Sequence, residues 1–138
     1  MAALVDTNVL VYRFDHRHPE KQRRATALLR TGLRADSLRV PHQAVVEFVA
    51  ASSKPPGRLL SREDARREAE ELLATFPILY PTEALVRTAL RGAAAYGLAW
   101  MDAHMWAYAE TYGLSELLSE DFQHDRLYGT VRALNPFL

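Results

Sequence analysis

Short apolar runs recur along this chain with helix-like stretches between them, and that alternation limits the fold more than any other feature. Leu4-Val5, Leu38-Arg39-Val40, Ile78-Leu79-Tyr80, Leu117-Leu118-Ser119 and Val131-Arg132-Ala133-Leu134 read as strands. A strand that is buried on both faces reads as an apolar run, and helices between such strands supply the cover. The pattern predicts an α/β chain: an α/β/α sandwich on a central parallel sheet of about five strands.

The intervening helices carry their own signals. Thr7 or Asn8 can cap a short helix or turn over Val9–Phe14. Pro19 sits at a first helical position, Ala25, Leu28 and Leu29 supply an apolar stripe, and Gly32 is expected to end that helix. Pro41 closes the second strand and opens a helix from His42 to Ser52. Ser61 begins a capping-box pattern ahead of Ala65, Ala69, Leu72 and Leu73. Thr82 caps a helix running to Gly97, and a last helix covers Met101–Tyr112 and closes at Gly113. Lys54-Pro55-Pro56-Gly57 is the clearest loop and is too short to act as a linker between domains. There is no internal repeat, and 138 residues can bury a core without staples, so one domain over 1–138 is expected.

The chain has no cysteine, which excludes disulfide frameworks, thiolate zinc sites and cysteine nucleophiles. No apolar run approaches a membrane span. The N-terminal apolar run has no basic leader and is interrupted by Asp6, so a cytoplasmic protein is expected. A net charge of zero argues against an autonomous, strongly basic nucleic-acid binder. Basic residues do gather between Arg13 and Arg39. That segment reads either as a solvated helix face or as a surface for RNA phosphates or an acidic partner.

Most acids sit where solvated charges belong. Glu63, Asp64, Glu68, Glu70 and Glu71 alternate with arginines on one helix as surface ion pairs. Asp6 and Asp121 differ, because each follows an apolar strand, and ligands of open parallel sheets bind at the carboxyl ends of the strands. Glu47 lies mid-helix among Val45, Val46, Phe48 and Val49, where a carboxylate costs desolvation unless compensated. Periodicity leaves its facing open. Asp102 opens a helix, which is favourable charge placement by itself, but Trp100, Met101, Met105 and Trp106 make its surroundings unusually apolar. Four converging acids stay ionised together only with a divalent cation, and oxygen-only ligation favours magnesium or manganese. The chemistry that follows is metal-assisted phosphodiester hydrolysis.

These residues resemble the PIN-domain family, in particular the toxins of VapBC toxin–antitoxin pairs. Val5-Asp6-Thr7-Asn8-Val9-Leu10-Val11-Tyr12 is similar to the family's opening motif. Val45-Val46-Glu47-Phe48, Trp100-Met101-Asp102-Ala103 and Ser119-Glu120-Asp121-Phe122-Gln123-His124 resemble its later acidic segments, in order across the whole chain. The resemblance implies a metal-dependent endoribonuclease whose metal site is Asp6, Glu47, Asp102 and Asp121. Thr7 and Asn8 would support the first carboxylate and Ser119 the last, while Asp125 is either an outer carboxylate or a surface residue. It also implies an RNA substrate, a small antitoxin partner and a homodimer. The alternative is a PIN-like domain that binds RNA or protein without turnover. A phosphatase using Asp6 as nucleophile fits less well, because Asn8 stands where a second aspartate is needed. Ala99 departs from the family, which often has serine there, so the start of that helix lacks a cap. The five histidines show no metal-ligand spacing, although His124 lies close to Asp121. Trp100 and Trp106 read as core or dimer contacts rather than base-stacking platforms.

Overall fold

The computed structural model describes residues 2–138. The chain runs β1 (Ala3–Val5), α1 (Thr7–Tyr12), α2 (Pro19–Ala35), β2 (Leu38–Pro41), α3 (His42–Ser52) and α4 (Arg62–Thr75). It continues through β3 (Ile78–Leu79), α5 (Glu83–Tyr96), α6 (Trp100–Thr111), β4 (Glu116–Leu118), β5 (Leu127–Tyr128) and β6 (Val131–Leu134). The strands form one sheet in the order β3-β2-β1-β4-β6-β5. All pairings are parallel except β5 with β6.

The expected parallel α/β sheet is therefore present, with one strand more than the five read from the sequence. β5 escaped notice because two residues, Leu127 and Tyr128, carry no period, and Leu127 is half exposed. Its partner across Gly129-Thr130 is β6, so it adds a short antiparallel edge.

Burial explains the apolar strands. Leu4, Val5, Val40, Leu117 and Val131 are fully buried, as central strands covered by helices must be. α6 lies against β1, β4 and β6 and packs on α5, while α1, α2, α3 and α4 pack on one another and α2 touches β2.

Two local expectations are corrected. Gly32 does not end α2: the helix continues to Ala35 and stops at Asp36, which takes a left-handed conformation (φ 51°). Gly32 is there for space, since a Cβ on it would lie 2.2 Å from Leu38 Cδ1. The cap of α1 is Asp6 itself, whose side chain accepts from the Thr7 amide, and not Thr7 or Asn8.

Candidate active site

β1 lies between β2, to which the chain runs next, and β4, to which it crosses back from β3 at the sheet's edge. That switch point opens a crevice at the carboxyl ends of β1 and β4. Val5 is in register with Leu118, and the Asp6 amide donates to the Leu118 carbonyl at 3.0 Å. The two strands that end in acids are thus neighbours, which the sequence left conditional.

A cavity of about 430 Å³ occupies the crevice. Asp6, Glu47, Asp102 and Asp121 all line it, contributed by the end of β1, the middle of α3, the start of α6 and the loop after β4. Thr7 and Asn8 line it too. Ser119 is fully buried beneath.

Ser119 and Asn8 organise the acids. The Ser119 hydroxyl donates to Asp6 Oδ2 at 2.6 Å and accepts from the Asp121 amide at 3.0 Å. Asn8 Nδ2 lies 3.1 Å from Asp121 Oδ2, 3.2 Å from Ser119 Oγ and 3.4 Å from Asp6 Oδ2. The Thr7 amide donates to Asp6 Oδ1 at 2.6 Å, while its hydroxyl donates to Glu47 Oε1 at 2.7 Å. One residue thereby holds two carboxylates from different elements.

Electrostatics follow from this crowding. Burial pushes the Asp6 carboxyl up to about 7. The Ser119 and Thr7 hydrogen bonds oppose the rise, and the charges of Asp121 and Glu47 add to it. Asp102 is also raised, first by burial and then by Asp121 and Glu47. Like charges thus press on one another across a cavity whose acidic donors are all oxygen, and this donor set fits a hard divalent cation. Among the described residues, however, no three acidic or histidine side chains are drawn into a ready-made metal cage.

Asp125 stands apart from the other acids. It has a left-handed backbone (φ 63°), pairs with Arg132 at 3.2 Å and is absent from the cavity lining. His124 is also structural, its Nδ1 accepting from the Asn135 amide at 2.9 Å. Trp106 is core, with its indole N–H donating to the Tyr128 carbonyl at 3.0 Å, whereas Trp100 is 44% exposed.

Sequence reasoning passed over three sets of residues at the cavity. Gln43, buried on α3, places Nε2 3.0 Å from the Met101 carbonyl and 3.4 Å from Glu47 Oε1. Its Oε1 lies 2.5 Å from His104 Nδ1, which must carry the proton because an amide oxygen only accepts. The four-residue spacing from Gln43 to Glu47 was the available signal. Glu120 accepts from the Tyr12 hydroxyl at 2.6 Å and from Lys21 at 2.9 Å, tying the loop after β4 to α1 and α2. Asp15 is buried and takes both Arg17 Nε (2.9 Å) and Arg17 Nη2 (3.0 Å). Those bonds hold its carboxyl down at about 2. The remaining basic residues of this segment are largely solvated, with Arg23 and Arg24 paired to Glu20 on α2.

Comparison with known proteins gives a consistent family. The sequence model of the PIN domain matches residues 3–129. No curated protein matches. Among solved structures, a toxin–antitoxin complex from Klebsiella pneumoniae superposes with TM-score 0.71 at 19% identity, covering 98% of each chain. VapBC2 from Rickettsia felis, bound to a DNA fragment from the promoter, gives 0.70 at 13% identity, covering 96% of this chain and 97% of that one. VapC20 of Mycobacterium tuberculosis, described as a Sarcin-Ricin loop cleaving toxin, gives 0.62 at 16% identity, covering 95% and 99%. At such identities the likeness is one of fold.

Proposed function

The chain belongs to the PIN-domain family, and from that premise we propose that it is a metal-dependent endoribonuclease, the toxin of a VapBC-type pair. The observation that carries this reading is the convergence of Asp6, Glu47, Asp102 and Asp121 on one cavity at the switch point of the sheet. The toxin–antitoxin complexes among the structural neighbours support the biological half.

In this reading the four carboxylates hold magnesium or manganese. Such an ion, when bound, polarises phosphoryl oxygens and lowers the pKa of water. The chain's own residues set the geometry. Ser119 and the Thr7 amide fix both oxygens of Asp6, and Asn8 keeps Asp121 beside it. The Thr7 hydroxyl and Gln43 hold Glu47 against the cavity wall. Arg17 and His18 line the same cavity and place positive or neutral donors near an RNA backbone. A small antitoxin keeps the enzyme inactive, and the active form is a cytoplasmic homodimer. No helix among the described residues is long and apolar enough to cross a membrane.

The test is cleavage of RNA by purified protein with and without divalent cation, beside Asp6→Asn. Divalent-dependent cleavage by the wild type alone is the expected result. Equal cleavage by both proteins removes the site. The lack of a preformed three-residue cage among the described residues favours one second reading, a PIN domain that binds RNA or protein without turnover. RNA binding indifferent to divalent cation, with no cleavage, is its signature.

A further inference from the structure

Asp15 is a buried carboxylate outside the group of four acids, yet it lines the acidic cavity together with Arg17 and His18. We propose that this end of the cavity is a phosphate subsite, in which Asp15 presets the guanidinium of Arg17 to receive an RNA phosphate flanking the scissile one. The proposal rests on the ribonuclease reading above. Within it, Arg17 holds one particular phosphate and Asp15 is a positioning residue that acts through Arg17.

The pair is built unlike most ion pairs of the chain. Arg23–Glu20, Arg67–Glu63 and Arg87–Glu83 each leave both partners open to solvent along a helix. Between Asp15 and Arg17 the carboxylate side chain is 4% exposed and the guanidinium side chain 57%. Burying a carboxylate is costly unless its acceptor sites are filled, and here they are. Oδ1 takes the Arg17 amide at 3.1 Å and Nε at 2.9 Å, while Oδ2 takes Nη2 at 3.0 Å and His18 Nδ1 at 3.3 Å. Two side-by-side bonds fix the plane of the guanidinium. They leave Nη1 without an acceptor among the described residues, on a side chain that lines the cavity. A fork fixed in this way loses little freedom when an anion arrives.

Position selects the ligand. Asp6 caps the start of α1 and Asp15 follows its end, so six helical residues, a rise of about 9 Å, separate Asp6 from the Arg17 end. That offset puts Arg17 beyond the scissile phosphate and beside the next one along the strand. Tyr12 joins the two ends: its hydroxyl meets Glu120, beside Asp121, and its ring meets His18 edge-on at 5.7 Å. Arg17 is the only arginine or lysine among the described residues that line the cavity. RNA lying across the four acids carries a phosphate on either side of the bond to be cut, and a guanidinium fork matches such a group. A carboxylate of an acidic partner protein fits the same fork, and RNA affinity separates the two.

The experiment measures binding of a labelled single-stranded oligoribonucleotide of mixed sequence by fluorescence anisotropy, in magnesium and over a range of salt. Asp6→Asn serves as the parent so that no RNA is cut. Arg17→Gln should weaken binding roughly tenfold and lower the salt slope by about 0.7. Arg17→Lys keeps the charge and loses the fork, so it should keep the slope and still bind several-fold more weakly. Asp15→Asn discriminates most sharply. By charge alone, removing a carboxylate tightens RNA binding, whereas loss of the preset fork weakens it several-fold. In the cleaving wild-type background Arg17→Lys should raise KM more than it lowers kcat. Parental affinity in Arg17→Lys overturns the proposal and is the result expected of a fork reserved for an acidic protein. Tighter binding by folded Asp15→Asn overturns it too, as does a parent that binds no RNA. If Asp15→Asn fails to fold, Arg17→Lys, at an exposed position, decides alone. The two claims fail separately. RNA binding through Arg17 by a wild type that cleaves nothing defeats the nuclease reading alone. Cleavage that is indifferent to both Arg17 variants defeats the subsite alone.

Discussion

Asp6 concentrates the chemistry of this chain in one side chain. It caps α1, accepts from Ser119 across 113 positions of sequence, and is 5% exposed. Its environment is better suited to a neutral carboxyl than to an anion, because burial outweighs both hydrogen bonds. Function and stability therefore conflict at this position. Asp6→Asn should raise the melting temperature of the metal-free protein at pH 8 by several degrees while abolishing divalent-dependent cleavage. A variant that melts below the wild type at that pH contradicts the electrostatic account. Asp15 shows the opposite balance. Its bonds from Arg17, from the Arg17 amide and from His18 favour the charged form, so Asp15→Ala should cost about 2 kcal/mol at pH 7 by chemical denaturation.

At the scale of elements, α6 carries the most. It brings Asp102 to the cavity, its aromatic face to a neighbouring groove and Trp106 to the core. Yet it begins at Ala99, an exposed N-cap residue without a side-chain cap. Ala99→Ser supplies the missing acceptor and should stabilise the protein by about 1 kcal/mol in urea titration. No gain there means that the first amides of α6 are already satisfied. α6 also depends on the close approach of α5. A Cβ on Gly92 would lie 2.2 Å from Trp106 Cζ3, and Trp106 is tied by its indole to the Tyr128 carbonyl. Gly92→Ala gains helix propensity of about 1 kcal/mol but overpacks a fixed ring at a cost of about 1–3 kcal/mol. The net effect should be a lower melting temperature by calorimetry.

For the whole molecule, Asp6 and Asp15 predict how stability follows pH, with Asp102 shifted in the same direction as Asp6. Folded Asp6 holds its proton up to about pH 7, against 3.8 in the unfolded chain, so the folded state binds more protons between those values. Stability of the metal-free protein should therefore fall as pH rises through that window. Asp15 acts below it: its carboxyl stays ionised down to about 2 when folded, so its contribution is lost as pH falls from 3.8 toward that value. A calorimetric series from pH 2 to 8 without divalent cation checks both limbs; on the proposed reading, magnesium or manganese added at pH 8 restores the loss caused by Asp6. What the sequence determined by itself is what runs on local rules. Apolar runs marked the β1, β2, β3, β4 and β6 strands, caps and prolines marked most helices, and Asp6 and Asp121 stood out as acids placed directly after strands. The family resemblance added Glu47 and Asp102, and the two-residue β5 was too short for any pattern. Only the tertiary structure decided what depends on contacts between distant segments. It made β1 and β4 neighbours, turned Glu47 toward Thr7 and Gln43, buried Asp15 and sent Asp125 to Arg132. It left Trp100 open while closing Trp106. Those outcomes are set by which surfaces meet across the sheet and between helices, and a periodicity read along one segment holds no information about the other side of a contact.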